Sequence, residues 1–254
     1  MEHSADEMMT VAAARELRDG EVCFVGIGLP STAANLARGR HAPDVVLIYE
    51  SGTIGSKPTR LPLSIGDGDL AETADAVVAV PEIFNYWLQG GRIDVGFLGA
   101  AQIDRYGNLN STVIGPYDAP KVRLPGAGGA PEIARLTKRV ITIIRQSSRT
   151  FVDELDFKTS LGAEDQVVIT DLGVLRRGAG RGSDPPGSSP RSASARGSDP
   201  PGPPELTLTA LHPGVTLEQA QEATAWELKV ADELQTSDPP TEDELSLLRE
   251  LKSA

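Results

Sequence analysis

The chain has 254 residues, of which 39% are hydrophobic and 24% are charged, and its formal net charge is -12. This length and composition are typical of a globular protein with a substantial core. The negative charge argues against a general surface for nucleic acid or anionic membrane, because phosphates would be repelled. The longest apolar runs, such as VVLIY and VITII, are too short to span a bilayer. We therefore expect neither nucleic acid nor a membrane among its partners.

Taken in chain order, the first half alternates helices and apolar strands. Ser4 and Glu7 predict a capping box for a helix over residues 5–19, which Gly20 would end. EVCFVGIG predicts a strand that runs into a glycine turn, and PSTAANLARG predicts a helix that opens on Pro30. Four further segments predict, in turn, a strand, a strand, a short helix and a strand: VVLIYE, AVVAVP, PEIFNYWLQGG and IDVGFLGAAQ.

The last third of the chain contributes a returning strand, LTLTALHPGV, and two capped helices. The caps are predicted at Thr216 with Gln219 and at Thr241 with Glu244. Apolar strands that alternate with helical stretches are typical of α/β proteins. The sequence therefore predicts one α/β domain over residues 1–254, with a mostly parallel sheet covered by helices on both faces.

Residues 178–204 differ in kind from the rest of the chain. Of these 27 residues, 19 are Gly, Pro or Ser, and the heptamer RGSDPPG occurs twice, at 181–187 and 196–202. Such a composition buries too little apolar surface to offset the entropy of ordering. We expect a disordered surface insertion without a catalytic role.

Three glycine-rich turns are predicted at the carboxyl edge of the sheet, where open parallel sheets bind ligands. They are VGIGLPS at 25–31, ESGTIGS at 50–56 and LPGAGGAPE at 124–132. Glycines allow close backbone approach and leave N–H groups free for a ligand oxygen. None of the three completes a phosphate-loop or dinucleotide pattern, so each is a weak signal alone.

Glu50 follows the apolar run VVLIY directly and opens the second of these turns. In an arbitrary protein, a glutamate at a strand end is more often a solvated or ion-paired residue of the sheet rim. The alternative is a carboxylate at the floor of a pocket, able to act as a nucleophile or general base. The flanking glycine turns favour this second interpretation.

Two long stretches resemble a known family. GLPSTAANLARGRHAPDVVLIYESG and FLGAAQIDRYGNLNSTVIGPYDAPKVRLPGAGGAPEIA are similar to the β subunit of family I coenzyme A transferases, of the glutaconate CoA-transferase type. The resemblance runs from about residue 8 to 172, resumes at LHPGVT and breaks across the low-complexity segment. It implies the CoA-transferase fold, which is NagB-like, with acyl-CoA esters and carboxylic acids as substrates and no permanently bound cofactor.

The resemblance also implies a mechanism and site residues. Glu50 corresponds to the glutamate that attacks the acyl-CoA thioester, so that CoA moves to an acid by ping-pong kinetics through a glutamyl-CoA thioester. Gly128 and Gly129, with Gly126 shaping the turn, are candidates for oxyanion stabilisation. Four residues resemble the loop beside the pantetheine arm: Gly26, Ile27, Gly28 and Leu29. Tight packing on the sheet would explain the same glycines without a catalytic role.

Polar residues near these turns are weaker candidates. Asn108 and Asn110 are as consistent with turn formation as with a polar role in the substrate site. Gln102 and Asp104 lie before them and would brace the pocket. Lys121 and Arg123 would pair with a substrate carboxylate or a CoA phosphate, although a solvated surface pair is the commoner situation.

Other reactive residue types suggest no further chemistry. Cys23 lies within an apolar strand pattern, which favours a buried, inert thiol. It has no second cysteine for a disulfide, and the N-terminal segment lacks the basic and apolar regions of a signal peptide, so we expect a cytoplasmic protein. No metal site is predicted, because the three histidines lack metal-ligand spacing: His3, His41 and His212. Trp87 and Trp226 fall in amphipathic helical stretches and are interpreted as packing residues.

Three functional hypotheses remain open from the sequence. The first is a CoA-transferase β subunit that is active only with a separate α subunit, in an α2β2 assembly implied by the resemblance. The second is a subunit of a hydrolase that acts on a CoA thioester or a ring on the same scaffold; related hydrolases depart from the family at the ESG glutamate, whereas this chain keeps Glu50. The third is a noncatalytic scaffold subunit. The acyl donor and acceptor are not determined by the sequence.

Overall fold

The computed structural model describes residues 2–178 and 204–253. The strands in this part of the chain are β1 (Val22–Val25), β2 (Val46–Tyr49), β3 (Thr53–Ile54), β4 (Ala76–Val77), β5 (Val95–Leu98), β6 (Gln102–Ile103), β7 (Leu109–Asn110), β8 (Val113–Ile114), β9 (Val122–Arg123), β10 (Arg139–Ile143), β11 (Gln166–Ile169), β12 (Gly173–Arg177), β13 (Thr207–Leu211) and β14 (Lys229–Thr236). The helices are α1 (Ala5–Arg15), α2 (Leu29–Arg38), α3 (Gly68–Glu72), α4 (Val80–Glu82), α5 (Ala130–Leu136), α6 (Leu217–Glu222) and α7 (Glu242–Ser253), with a π-helical segment at Ile83–Leu88.

Ten strands form one sheet in the order β14-β13-β12-β11-β10-β5-β1-β2-β3-β4. The five central strands, from β11 to β2, are all parallel, which confirms the predicted mostly parallel sheet. Antiparallel pairs extend the sheet on both sides, and β13 and β14 pair in parallel at one end. Two small hairpins, β6-β7 and β8-β9, stand outside the main sheet.

Helices cover both faces of the sheet, as the sequence predicts. Side chains of β1 alternate between two hydrophobic cores, because successive residues of a strand point to opposite faces. Cys23 and Val25 pack into the core formed with α1, α2 and α7. Phe24 packs into the opposite core, where α5 contributes Ile133 and the π-helical segment contributes Leu88. None of the helices described is long and apolar enough to cross a membrane.

The three predicted helix caps are confirmed. Ser4 and Glu7 form a capping box at the start of α1, and Thr216 and Gln219 form one at α6. At α7 the Glu244 carboxylate accepts a hydrogen bond of 2.8 Å from the backbone N–H of Thr241. These side chains satisfy backbone N–H groups that have no partner within the helix.

Several element boundaries differ from the sequence prediction. The first helix ends at Arg15 rather than at 19, because the carbonyls of Ala14 and Leu17 turn to Nε2 of His41, each at 3.1 Å. The predicted strand AVVAVP keeps only β4, since Pro81 enters the first turn of α4. The predicted helix PEIFNYWLQGG contains five-residue hydrogen bonds, such as that of 2.8 Å from Gln89 N to Phe84 O.

The longest strands of the sheet that were not predicted are β10, β11, β12 and β14. β10 begins with Arg139, and both ends of β14 carry exposed polar residues, so an alternating pattern is weak in each. The predicted returning strand is β13, which pairs with β12. The predicted disordered insertion at 178–204 lies, apart from Gly178 and Pro204, outside the described residues.

Candidate functional site

Glu50 lies in a tight turn directly after β2. The turn is closed by a hydrogen bond of 3.0 Å from the N–H of Gly52 to the carbonyl of Tyr49. Glu50 itself is half-buried. Its carboxylate has no hydrogen bond or ion pair with any residue in 2–178 or 204–253. A carboxylate in this state has both oxygens available to an incoming group.

Gly52 fixes the shape of this turn. It has φ of +106°, and a Cβ placed on it would collide with the carbonyl oxygen of Val78. Val78 in turn donates its N–H to the carbonyl of Gly52 at 2.9 Å. Only glycine fits both the backbone angle and this contact. The Glu50 turn is thereby held against the segment that follows β4.

Two hydroxyl groups beside Gly52 were not predicted as part of the site. The Oγ of Ser51 and the Oγ1 of Thr53 are buried and have no hydrogen-bond partner within the described residues. Thr53 is only 3% exposed. Buried hydroxyls normally have a partner, so each unpaired one requires an explanation. The signal in the sequence was the placement of Ser and Thr on either side of the glycine that follows Glu50.

The loop with Gly26, Ile27, Gly28 and Leu29 lies beside the Glu50 turn. Val25 and Tyr49, the last residues of parallel strands β1 and β2, are in register, so the two turns leave the sheet at the same edge. Gly28 has φ of +87° and is the N-cap residue of α2. The loop is partly open, with Gly28 exposed and its three companions half-buried.

A buried hydrogen bond ties α2 to the residue before Glu50. Ser31 Oγ lies 3.0 Å from the phenol oxygen of Tyr49, which is fully buried. The side-chain amide of Asn35 donates to the carbonyl of Ser31 at 2.9 Å. Burial raises the pKa of Tyr49, and its hydrogen bond to Ser31 acts in the opposite direction. The start of α2 and the end of β2 therefore form one rigid unit.

The turn with Gly126, Gly128 and Gly129 leads into α5. Gly126 exchanges two hydrogen bonds of 2.9 Å with Ser111, one from its own N–H and one from the Ser111 hydroxyl. Gly128 is exposed, with φ of +48°. The N–H groups of Gly128 and Gly129 donate to none of the described residues. They are free to receive a ligand oxygen.

Aromatic packing places this third turn on the same edge of the sheet. A Cβ on Gly129 would lie 2.9 Å from the Phe84 ring, so this glycine is packed closely on Phe84. Phe84 contacts Phe24 of β1, with ring centroids 6.0 Å apart. Ile133 of α5 sits over Gly96 of β5, which orients the start of α5 toward the carboxyl end of the sheet. All three glycine turns therefore lie at this end.

The polar candidates Gln102, Asn108 and Asn110 are buried, and their side chains bond within the loop. Asn110 Nδ2 donates at 2.7 Å to Gln102 Oε1, and Asn108 Nδ2 donates at 2.8 Å to Asp104 Oδ2. The Oδ1 of Asn110 accepts at 3.0 Å from the N–H of Thr112. This geometry favours turn formation over direct substrate contact. Contact with substrate stays a prediction for all three.

The cation Arg123 is engaged within its own loop. Its guanidinium lies 4.6 Å from the centre of the Tyr117 ring and donates at 2.8 Å to the Tyr117 carbonyl. The other side of this cluster is Phe157, stacked on Tyr117 at 5.4 Å. Lys121 is exposed. The loop before GAGGA is therefore preorganised, with Lys121 the less constrained of the two cations.

The remaining reactive side chains lie away from this edge or inside the core. Cys23 is fully buried, and burial raises its thiol pKa, so it is not poised as a nucleophile. His212 is buried with Nε2 2.8 Å from the Thr170 carbonyl, and burial lowers its pKa. Trp226 stacks on Phe151 at 5.6 Å within the core. The described residues contain no group of three or more metal-ligating side chains.

The loop between β3 and α3 is held by one carboxylate. Asp67 accepts hydrogen bonds of 2.9 Å and 2.8 Å from the guanidinium of Arg60 and one of 3.0 Å from the N–H of Leu63. The bond to Arg60 is the main cause that lowers the pKa of Asp67 to about 2. Leu63 is 86% exposed at the tip of this loop. The loop presents an apolar side chain on a rigid frame.

Comparison with known proteins supports the interpretation of this edge as a functional site. A family model described as coenzyme A transferase matches residues 6–181. One of the two subunits of 3-oxoadipate CoA-transferase from Pseudomonas knackmussii is 58% identical over 266 aligned positions, which cover 99% of this chain and 94% of that protein. The crystal structure of glutaconate coenzyme A-transferase from Acidaminococcus fermentans has a TM-score of 0.82 at 28% identity and covers 98% of this chain and 94% of its own.

A third relative shows the same fold with another activity. The crystal structure of the decarboxylase AibA/AibB has a TM-score of 0.81 at 26% identity, and covers 98% of this chain and 94% of its own. The length of the family match and the identity to the 3-oxoadipate relative decide the family: this chain belongs to the coenzyme A transferases. Within that family it is a β subunit of the family I type.

Proposed function

We propose that this chain is the catalytic subunit of a heteromeric CoA-transferase and that Glu50 is its nucleophile. The observation that supports this most directly is the state of the Glu50 carboxylate. It is half-buried, it has no partner among the described residues, and it projects from a turn flanked by glycine loops. An ordinary rim glutamate would be solvated or ion-paired.

The first half-reaction transfers CoA to the protein. A Glu50 oxygen attacks the thioester carbon, the C–S bond breaks, and a mixed acyl-glutamyl anhydride and CoA thiolate result. The thiolate then attacks the glutamyl carbonyl, the anhydride C–O bond breaks, and the donor acid leaves as a carboxylate. Glu50 now carries CoA as a thioester. Binding of the nonreacting parts of CoA would lower these barriers.

The second half-reaction runs the same steps in reverse with a new acid. The acceptor carboxylate attacks the glutamyl-CoA carbonyl and releases the thiolate, and the thiolate then attacks the acceptor acyl carbon. The products are a new acyl-CoA and a free Glu50 carboxylate. Water has to be kept from both covalent intermediates, because either would hydrolyse.

Backbone N–H groups of the third glycine turn are the proposed oxyanion donors. Gly128 and Gly129 have N–H groups without a partner among the described residues, and Gly126 holds the turn on Ser111. Loss of one oxyanion donor costs roughly 3–4 kcal/mol of transition-state stabilisation. We assign the loop 26–29 to the pantetheine arm, because it leaves the sheet beside Glu50.

The acid substrate we propose is a 3-oxo dicarboxylic acid of the 3-oxoadipate type. The basis is the 58% identity over nearly the whole chain to the 3-oxoadipate CoA-transferase relative. The decarboxylase AibA/AibB has the same fold, so the fold does not determine the reaction. Retention of Glu50 is the feature that favours transfer over hydrolysis by a related enzyme or a noncatalytic scaffold role.

The partner we propose is a separate α subunit, in an α2β2 assembly. The support comes from the 3-oxoadipate relative, whose name makes it one subunit of its enzyme, and from the two-part name AibA/AibB. CoA esters would act as substrates, with no permanently bound cofactor. One domain over 1–254 and a cytoplasmic location stay predictions.

The test is reconstitution of the chain with its α subunit, followed by assay of CoA transfer from succinyl-CoA to 3-oxoadipate and, separately, to glutaconate. The complex should transfer CoA to 3-oxoadipate, and the isolated chain should not. Hydroxylamine added after succinyl-CoA alone should release CoA and leave a hydroxamate on Glu50, which peptide mass spectrometry would locate.

Variants decide the role of the carboxylate. Glu50→Gln and Glu50→Ala should lose transfer by several orders of magnitude and should form no hydroxamate. Glu222→Gln, at an exposed position of α6, is the matched control and should retain full activity. Nearly normal turnover in Glu50→Ala would support the scaffold hypothesis instead. Thioester loss without transfer to an acid would support hydrolysis.

A further inference from the structure

Exposed apolar side chains are concentrated after the Glu50 turn. Val77 is 60% exposed, Val80 46% and Tyr86 64%. With Ala76, which is also exposed, they form what we call the 76–86 surface. Single exposed apolar residues are ordinary, whereas a contiguous group marks an interaction site.

The two ends of the ten-stranded sheet are built differently. The outer strand β14 carries exposed charges at Lys229, Asp232 and Glu233, which discourage pairing with another chain. The outer strand at the other end, β4, consists of Ala76 and Val77, both exposed and uncharged. Of the two sheet edges, only the one at β4 lacks charge in its own strand.

The 76–86 surface adjoins the Glu50 turn directly. Val78 lies between Val77 and Val80, and it is the residue whose N–H bonds to the carbonyl of Gly52 at 2.9 Å. Its own carbonyl oxygen occupies the space that a Cβ of Gly52 would need. A protein that covers Val77 and Val80 would therefore also form a wall beside Glu50.

We infer that the 76–86 surface is the docking site for the α subunit and that this contact completes the pocket around Glu50. The choice of the α subunit as occupant rests on the proposed function. Glu50 is half-exposed in the single chain, yet its covalent intermediates require exclusion of water, so a cover is needed at this place. The apolar character of the surface fits a stable subunit interface.

A second copy of this chain fits the surface less well. Each copy carries a formal charge of -12, so two copies face mutual repulsion. The β4 strand is also only two residues long, which offers little edge for pairing of identical strands. The α subunit is free of the first restriction, and its docking accounts for a chain that requires a partner.

The first test uses isothermal titration calorimetry to measure affinity for the purified α subunit. Val77→Asp, Val80→Asp and Tyr86→Asp each place a charge in the proposed interface, and each should weaken binding roughly 100-fold or more. Leu217→Asp is the matched control, because Leu217 is 37% exposed on α6, away from β4. It should bind as the wild-type chain does. Unchanged binding by the three variants would overturn the inference.

A second measurement needs no variant and protects the test against misfolding. Hydrogen–deuterium exchange of the wild-type chain should show slower exchange of the 76–86 amides when the α subunit is added. No change at 76–86 in a formed complex would overturn the inference. Protection that instead rises with concentration of the chain alone would identify a second copy as the occupant, and would overturn it as well.

The failure of this inference is distinguishable from failure of the proposed function. Glu50→Ala should bind the α subunit with wild-type affinity, since its side chain is not part of the 76–86 surface. A complex that docks at 76–86 but transfers no CoA would leave the interface intact and refute the transferase. A complex that transfers CoA but docks elsewhere would do the reverse. A wild-type chain that does not bind the α subunit would refute the docking site.

Discussion

Gly52 and Val78 are in direct backbone contact. The N–H of Val78 donates to the Gly52 carbonyl at 2.9 Å, and the Val78 carbonyl oxygen blocks the position of a Gly52 Cβ. This contact joins the turn that carries Glu50 to the segment after β4. The orientation of the proposed nucleophile therefore depends on a glycine two residues away.

Replacement of Gly52 by alanine should destabilise the chain and lower transfer activity. Alanine at φ of +106° is strained, and its Cβ would also collide with the Val78 carbonyl. Gly20→Ala is the control, since Gly20 has φ of +75° but no atom within 4 Å of its Cβ position. The control should cost only the roughly 1–2 kcal/mol of backbone strain. Urea unfolding should show a larger loss for Gly52→Ala, and equal losses would contradict the packing argument.

Tyr49→Phe should destabilise the chain by about 1–3 kcal/mol, because it leaves the buried Ser31 hydroxyl without its partner. Ser31→Ala should have a similar effect through the Tyr49 phenol. The double variant should lose much less than the sum of the two, since both polar groups are then removed together. Urea unfolding of the four proteins measures this coupling. Additive losses would show that the 3.0 Å contact is energetically unimportant.

Thr53→Val should leave the isolated chain at least as stable as the wild type. The Thr53 hydroxyl is buried without a partner among the described residues, so a methyl group of the same shape removes an unsatisfied polar atom. Thr73→Val is a useful contrast, because the Thr73 hydroxyl donates at 2.6 Å to the Asp69 carbonyl. Thermal unfolding compares them. A clear destabilisation by Thr53→Val would show that its hydroxyl has a partner in solution.

Stability should fall in acid as the pair of Glu7 and Arg249 is lost. Hydrogen bonding from Arg249 is the main cause that lowers the pKa of Glu7 from 4.5 to about 2. A carboxyl whose pKa is lower in the folded state stabilises that state above its unfolded pKa. This contribution is lost as the pH falls from about 4.5 to about 2.

Urea unfolding at pH 7 and pH 3 measures this effect. Glu7→Gln should be less stable than the wild type at pH 7, and the difference between them should shrink at pH 3. Glu2→Gln, a change close to the same helix, is the control and should show no such dependence on pH. A difference between Glu7→Gln and wild type that stays constant over this range would exclude the linkage.

The part of the fold predictable from the sequence was the part with strong local signals. The Ser4 and Glu7 capping box, the strand before Gly26 and the strand before Glu50 each depend on a few adjacent residues, and each is confirmed. The end of α1 was wrong because it depends on His41, which approaches from another element. The edge strand β14 was missed because its stability comes from pairing with β13 rather than from an apolar pattern.

The candidate site shows the same division. Glu50 and the three glycine turns have marks in the sequence, namely a carboxylate after an apolar run and clustered glycines. The unpaired hydroxyls of Ser51 and Thr53 do not, because satisfaction of a hydrogen bond is a property of three-dimensional neighbours. The contact between Gly52 and Val78 likewise joins residues that no local pattern connects.

The Arg60 and Asp67 pair has a consequence for how fast a partner can bind. Because Asp67 also accepts the N–H of Leu63, the loop tip holds its shape before any encounter. A contour that is already set loses little conformational entropy on association. A molecule that meets Leu63 would therefore find its landing point ready, and the approach to it, rather than a rearrangement of the loop, would set the rate.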